Sequence, residues 1–350
     1  MADSVWYATR EDVKAALDYK ETARNNGQVD RAVEAASRAV EGYLHRRFYP
    51  YTGTRYFDYP NDNSRSPSWR LWLGQNEAIS ITSLTSGGTS VSSQDYNLEP
   101  GDYGPPFDRV EINRSSSASF RAGDTPQRSI GITGVFGYDD TSTAVGTLSG
   151  LINDSVTTLT LSNGASIGVG SILKIESERL LVTERQWVDS GEVIETALNG
   201  QNNNVSLDVF DESLFTIGET VLIDSEKMLI VDITENTLLV KRAWDGSTLA
   251  THADNAEIHV SRVFTVTRGA LGTTAASHNN GVSVRVQVIP GLIRELTIAE
   301  AINFLLQESS GYARISGSGE NSQEYTGRGL NEIRKLARAR YGRQIRARAV

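Results

Sequence analysis

Hydrophobic residues at both ends of the chain recur with helical spacing. Apolar side chains return every three or four positions between residues 29 and 44 and again between residues 293 and 306, so each segment predicts a helix. A shorter helix is expected after Thr9, a suitable N-cap, and a last one from about Leu330. The helix after Pro290 is apolar on more than one face, which predicts a position inside the core.

Between these ends the pattern changes to short alternating segments separated by glycine- and proline-rich turns. From Tyr51 to Tyr138 such segments predict a small antiparallel sheet. Residues 146–287 are strand-like throughout, and no helical stripe interrupts them. The middle of the chain is therefore expected to be all-β.

The strand-rich region contains a nested repeat. Residues 170–182 align with residues 218–230, 48 positions later, and residues 240–252 align with residues 266–278, 26 positions later. The two halves of one unit therefore flank the two halves of the other. Because two units are too few for a solenoid, this order predicts two copies of a small β-module, one inserted into the other.

Composition narrows the class of protein. The 350 residues are 39% hydrophobic and 22% charged, and they include no cysteine and four histidines. This predicts a globular chain of about two domains without disulfides or thiolate sites. No apolar run reaches the roughly 18 residues of a membrane span, and the first residues lack the pattern of a signal peptide.

The charge is divided unevenly along the chain. The net charge is −9, yet eight basic residues and one acidic residue from Arg328 onward give +7, which leaves −16 on residues 1–327. An acidic body with a basic tail predicts that the tail meets an acidic partner surface or nucleic acid.

Two acidic pairs in the repeat are candidates for enzyme or metal chemistry. Glu176 and Glu178 lie two positions apart, as do their equivalents Asp224 and Glu226, so each pair could divide acid and base roles on one face of a strand. Both pairs also lie between two apolar strands, as the turn of a tight hairpin does, and we favour this interpretation. A calcium site would need a glycine-bearing loop and more ligands.

Histidines and nucleophile motifs point away from catalysis. His252 and His278 occupy equivalent repeat positions, and without cysteine a metal site has few further ligands, so we expect structural histidines that close a loop. The chain has neither a Gly-x-Ser-x-Gly nucleophile elbow nor a phosphate-binding loop with its Lys-Ser/Thr. We therefore expect no enzyme activity, no cofactor and no metal.

The order of the segments resembles that of the head–tail connector (adaptor) proteins of tailed bacteriophages. Two N-terminal helices are followed by strands that end at Gly134-Val-Phe-Gly137-Tyr138, and an apolar helix follows Pro290. In that family the Gly-x-x-Gly-Tyr strand runs within a few residues into the proline-initiated helix. Removing roughly residues 141–286 restores this order. The other matching segments are Trp72-Leu73 and residues 79–84, 95–98 and 110–112.

The resemblance implies an α+β fold. Its core would be a discontinuous helical bundle with a small antiparallel sheet, made of residues 1–145 and 286–350. Residues 146–285 would form an inserted all-β domain that contains the nested two-copy repeat.

The resemblance also implies a function. A head-completion protein of this family is a virion protein at the head–tail interface, assembled in the host bacterial cytoplasm. It forms a ring, usually a dodecamer, beneath the portal protein, and it extends the channel through which double-stranded DNA passes. It provides the platform for the next connector, stopper or tail protein, and no membrane takes part.

In this interpretation the basic C-terminal segment docks onto the portal protein. Its apolar stripe offers anchors beside arginines that can pair with carboxylates, whereas DNA contact and a solvated helix face are the alternatives. The predicted docking residues are Ile333, Arg334, Lys335, Leu336, Arg338, Arg340, Tyr341, Arg343, Arg346 and Arg348. Two other functions stay open: a DNA-binding protein that uses the tail, and a phage carbohydrate- or receptor-binding protein, which exposed Trp187 and Trp244 in one groove would favour.

Overall fold

Helices lie on both sides of the strand-rich region, as the spacing predicts. The computed structural model describes residues 5–17, 26–60, 67–309, 315–316, 323–324 and 328–343, so Arg346 and Arg348 of the docking set lie outside the described residues. Within these ranges the α-helices are α1 (Arg10–Ala16), α2 (Asn26–Leu44), α3 (Gly291–Ser309) and α4 (Arg328–Tyr341). Thr9 caps α1: its Oγ1 accepts from the Asp12 N–H at 3.0 Å, and its own N–H donates to the Asp12 carboxylate at 2.9 Å.

The region after α2 forms two antiparallel sheets. Their strands are β1 (Tyr51–Phe57), β2 (Arg70–Trp72), β3 (Ala78–Ser86), β4 (Thr89–Val91), β5 (Tyr96–Glu99), β6 (Arg109–Ile112) and β7 (Ile130–Phe136). One sheet has the order β1-β7-β3-β4 and the other has the order β2-β6-β5.

A ten-stranded antiparallel sheet occupies the middle of the chain. Its strands are β8 (Ser142–Thr147), β9 (Thr158–Thr160), β10 (Ile172–Ile175), β11 (Glu178–Val193), β12 (Ser206–Asp208), β13 (Thr220–Ile223), β14 (Glu226–Thr234), β15 (Thr237–Lys241), β16 (Glu257–Thr267) and β17 (Ser283–Gln287). The order is β12-β15-β14-β13-β16-β11-β10-β17-β8, and β9 also pairs with β16. A short pair, β18 (Ile315–Ser316) and β19 (Gln323–Glu324), precedes α4.

The predicted helical-bundle core is wrong. The chain is mostly β, with 36% strand and 24% helix, and large antiparallel sheets dominate it. The reason lies in what covers the apolar faces of the helices. Ile172 of β10, together with Ala270 and Leu271 of a short 3₁₀ turn, packs in the same hydrophobic cluster as the helices. Helical spacing predicts a buried face but not whether a helix or a strand covers it.

The N-terminal and C-terminal helices share one interior. Leu44 of α2 packs in the same cluster as Leu296 of α3 and Ala337 of α4. A second cluster joins Val33 of α2 to Ala301 of α3. The sequence between these helices, almost 250 residues long, therefore leaves the interior and returns to it.

Three aromatic rings mark the point where distant segments meet. Tyr138, just after β7, has its ring centroid 5.3 Å from that of Phe48 and 5.7 Å from that of Tyr341. Phe48 and Tyr341 lie 5.8 Å apart in an edge-to-face arrangement, a favourable geometry for aromatic pairs. One ring follows α2, one follows β7 and one ends α4.

The two copies of the sequence repeat fold into two similar sets of paired strands, which we treat as two β-modules. We call residues 142–187 and 261–287 the outer module and residues 188–260 the inner module. Each has its own hydrophobic cluster, centred in the outer module on residues such as Leu173 and in the inner module on residues such as Val221.

Strand registers coincide in the two modules. Leu207 lies opposite Leu238 in the inner module, as Leu159 lies opposite Phe264 in the outer module. These pairs are related by the same shifts of 48 and 26 positions that relate the sequences. The long strands β11 and β16 pair with each other along both modules and so connect them.

Candidate functional site

Each acidic pair lies at a two-residue hairpin turn, as predicted. The strands that flank the turns end just before Glu176 and Asp224 and resume at Glu178 and Glu226. Glu176 and Asp224 have φ angles of 52° and 53°, the left-handed conformation that tight hairpins require. The second acid of each pair, Glu178 or Glu226, begins the following strand, and its side chain is fully buried.

In the inner module, every hydrogen-bonding direction of the Glu226 carboxylate is used. Arg242 donates to both oxygens, from Nε at 2.7 Å and from Nη2 at 2.8 Å. The backbone N–H groups of Ala243 and Ala250 donate at 2.8 and 2.9 Å. His252 Nε2 lies 3.0 Å from Oε2. A bidentate pair of this kind is among the strongest polar contacts in proteins.

The guanidinium of Arg242 is equally well satisfied. Its Nη1 donates to the carbonyl oxygens of Asn199 and Asn204, each at 3.2 Å, and its Nη2 donates to that of Ala250 at 2.6 Å. These contacts hold the loops on both sides of the arginine. The buried ion pair therefore works as a cross-link between segments that are distant in sequence.

The outer module contains an equivalent centre, built from the corresponding glutamate, arginine and histidine of its own copy of the repeat. Glu178 accepts from Arg268 at 2.7 and 2.8 Å and from the N–H groups of Gly269 and Ala276 at 2.9 and 3.0 Å. His278 Nε2 lies 2.8 Å from Oε2 of Glu178. The two centres agree group by group, which extends the repeat from backbone to side-chain chemistry.

Both histidines close a loop, as the sequence analysis favours. His252 is bracketed by two carboxylates, with Nδ1 2.7 Å from Asp224 and Nε2 beside Glu226. Its backbone also exchanges two hydrogen bonds of 2.9 Å with Leu198. His278 has the same relation to Glu176, 2.8 Å from Nδ1.

The electrostatics of the centres suit structure better than proton transfer. Burial would raise the pKa of Glu226, but hydrogen bonds from Arg242, His252 and two backbone N–H groups outweigh it and lower the pKa to about 2. Burial of Glu178 is opposed in the same way, chiefly by Arg268, and its pKa is also lowered to about 2. A carboxylate that stays ionised and fully hydrogen-bonded has no free oxygen for a substrate. Within the described residues, no three His, Asp or Glu side chains are grouped to hold a metal ion.

Sequence reasoning missed Arg242 and Arg268 as partners of the buried glutamates. The signal was present, because the repeat alignment places the two arginines at equivalent positions. When an arginine and a glutamate both recur at equivalent positions in two copies of a module, the repetition indicates that the two residues pair inside each module.

The predicted docking residues of α4 divide into two groups. Tyr341 is buried and Ile333 packs partly against the helical interior. Arg334 donates to both oxygens of Glu300 at 2.5 and 2.7 Å, and Arg343 lies 3.8 Å from Glu77. These four residues hold α4 in place.

The remaining described docking residues stay on the surface. Leu336 is 60% exposed, and Lys335 beside it is exposed. Arg338 lies over the Tyr43 ring at 5.5 Å, and Arg340 lies over the ring of Tyr341 at 5.3 Å. We call Lys335, Leu336, Arg338 and Arg340 the basic face of α4.

Neither candidate tryptophan is fully exposed. Trp187 lies in β11 and Trp244 in a 3₁₀ turn of the inner module, and both are half-buried. The ammonium of Lys241 lies 5.3 Å from the centroid of the Trp244 ring. The exposed tryptophans that would favour carbohydrate binding are therefore not found.

Comparison with known proteins identifies no relative. No protein-family model, no curated protein and no solved structure matches the chain. No helix in the described part of the chain is long and apolar enough to cross a membrane.

Proposed function

We propose that this chain is a structural adaptor that assembles into a ring at the head–tail interface of a tailed bacteriophage. The observation that carries the proposal is the meeting of Tyr138 with Phe48 and Tyr341. The Gly-Tyr end of β7 thereby lies against the end of α2 and the end of α4. This is the neighbourhood expected when the β-modules are an insertion into an adaptor-like chain.

Close backbone packing supports the same point. Gly137 has a φ of +140°, and a Cβ atom there would lie 2.2 Å from the carbonyl oxygen of Tyr49. The turn after β7 therefore passes directly over the segment that follows α2, and only glycine fits. The glycine of the Gly-x-x-Gly-Tyr motif thus has a physical role at the junction.

The proposed work of the protein is binding. A ring adaptor needs one surface for its neighbours, one for the portal protein and one for the next connector or tail protein. It also needs a channel that does not retain DNA. The acidic body, with −16 on residues 1–327, suits such a channel because like charges repel the phosphates.

Binding to the portal protein encoded in the same genome tests the proposal. The two purified proteins would be mixed and analysed by mass photometry, and the adaptor is expected to bind as a ring with several copies per portal. Filter binding to double-stranded DNA across a salt series and a glycan array test the rivals in parallel. Absence of a portal complex together with tight DNA or glycan binding would overturn the proposal.

A further inference from the structure

The inner module exposes an apolar patch. Phe210, Leu214 and Ile217 are 62%, 38% and 54% exposed, and they lie in the loop between β12 and β13. Large apolar side chains that cluster on a surface mark an interaction site more often than isolated ones do. We call these three residues the inner-module patch.

The repeat provides an internal control for what this loop needs in order to fold. The outer module has Ser162 and Ser166 at the first two patch positions, and both are exposed. The two loops turn in the same way: Asn163 Oδ1 accepts from the Ala165 N–H at 2.8 Å in one, and the Asp211 carboxylate accepts from the Ser213 N–H at 3.0 Å in the other. Serine suffices at these positions in the outer module, where Ser162 Oγ also accepts from the Thr147 N–H at 2.9 Å. The turn itself therefore does not require the phenylalanine and leucine of the inner module.

At the third patch position, the outer module is covered by the N-terminal segment of the chain. Its equivalent there, Val169, is buried because the N-terminal segment covers it. The Arg10 N–H donates to the Val169 carbonyl at 3.1 Å, and the Val169 N–H donates to Glu11 at 2.8 Å. Ile217 presents the same edge of the module with its side chain more than half exposed.

The charge around the patch identifies the chemistry of its partner. Asp211 is exposed in the same loop, and the Glu192 carboxylate accepts from the Phe210 N–H at 3.0 Å. One cation lies beside the patch: Arg262 donates to the Leu214 carbonyl at 2.6 Å, but its charge is paired with Glu219, also at 2.6 Å. An apolar patch with such a rim fits an apolar anchor surrounded by basic residues. The basic face of α4 offers three exposed cations, Lys335, Arg338 and Arg340, together with the exposed Leu336.

We propose that the inner-module patch binds the basic face of α4 from a second copy of this chain. Two complementary surfaces at different places on one chain make a head-to-tail contact, which closes into a ring when the rotation allows it. The inference rests on the proposed function, and it assigns the acidic partner of α4 to the neighbouring subunit. Portal binding would then use another surface of the assembled ring.

Exchanging the patch for the residues of the sister module tests the inference. The double variant Phe210→Ser/Leu214→Ser copies Ser162 and Ser166, so it should fold with an unchanged melting temperature. In sedimentation velocity across a concentration series, we expect its self-association to be at least about tenfold weaker than that of wild type. Leu151→Ser, which changes a 69% exposed leucine of the outer module, is the matched control and should associate like wild type.

Charge reversal tests the second surface. Lys335→Glu/Arg340→Glu should weaken self-association to a similar degree, and adding Glu212→Lys to that variant should restore part of it. High salt should weaken the wild-type assembly, because exposed complementary charges are screened.

The outcomes separate this inference from the proposed function. Wild-type chain that stays monomeric at all concentrations, or a Phe210→Ser/Leu214→Ser variant that assembles normally, overturns the inference. Portal binding measured on the same variants is a separate readout. A chain that assembles through the patch but does not bind the portal protein contradicts the proposed function instead.

Discussion

Replacing Glu226 by glutamine tests whether the buried centre stabilises the inner module. The change keeps the shape of the side chain but removes its charge and turns one acceptor oxygen into a donor. Arg242, whose side chain is fully buried, then has no counter-charge. At least one of the N–H groups that now bond to the carboxylate, such as that of Ala250, loses its acceptor.

The expected loss of stability is large. Removing one partner of a buried ion pair costs about 3–5 kcal/mol, because the other charge remains buried. The lowering of the Glu226 pKa from 4.5 to about 2 leads to a similar figure, about 3 kcal/mol. Since the inner module has its own hydrophobic cluster, this loss should be confined largely to residues 188–260.

Hydrogen exchange resolved by peptide, together with urea unfolding, measures both the size and the place of the effect. Glu226→Gln should remove protection from the inner module, and Glu178→Gln should do the same in the outer module. Asp224→Asn is the control, because the Asp224 side chain is 63% exposed and its pair with His252 should contribute less than about 1 kcal/mol. A Glu226→Gln cost below about 1 kcal/mol, or equal loss in both modules, would show that the buried Glu226–Arg242 pair does not stabilise the inner module in this way.

Three further predictions concern pH, packing and the aromatic junction. Because the folded pKa values of Glu178 and Glu226 are lowered from 4.5 to about 2, the stabilisation by both carboxylates should be present above about pH 4.5 and be lost as the pH falls toward 2. Urea unfolding at several pH values should show the free energy of unfolding falling by up to about 2.7 kcal/mol per pH unit in that range, and a free energy of unfolding that rises on acidification would contradict this prediction. Gly168→Ala should cost about 1–3 kcal/mol in thermal unfolding, because its Cβ would lie 2.4 Å from the Glu11 carboxylate; an unchanged melting temperature would count against the docking of α1 on this loop. Tyr341→Ala should cost about 3–5 kcal/mol in chemical denaturation, since the residue is only 7% exposed and its ring packs against those of Phe48 and Tyr138. A loss below about 1 kcal/mol would show that α4 is not part of the interior.

Local patterns in the sequence predicted where the helices and strands lie, but they did not predict how these elements pack together. The spacing of apolar residues located α2 and α3 to within a few residues, because one helix face must be buried wherever it packs. The alignment at shifts of 48 and 26 positions located both modules, because equivalent residues make equivalent strand pairs. The prediction of a helical-bundle core was wrong because the apolar stripe of a helix such as α4 does not identify what packs against it. In this fold Leu271, from a distant turn, lies in the same hydrophobic cluster as α4.

In the buried centres and the docking residues, too, features set by adjacent residues were predicted, and contacts between distant segments were not. Hairpin turns at Glu176 and Asp224 follow from adjacent residues and were predicted correctly. The pairing of Glu178 with Arg268 joins positions 90 apart in sequence, so it depends on the complete module. Arg334 could not be told from Arg338 by sequence, since only packing brings Glu300 of α3 beside the first.

Electron microscopy of the chain mixed with the portal protein encoded in the same genome shows whether the chain forms a ring on the portal. We expect rings with an open central channel, coaxial with the portal assembly and absent when the chain is omitted. Single, unassembled particles beside bare portals, at concentrations where both proteins are folded, would contradict it.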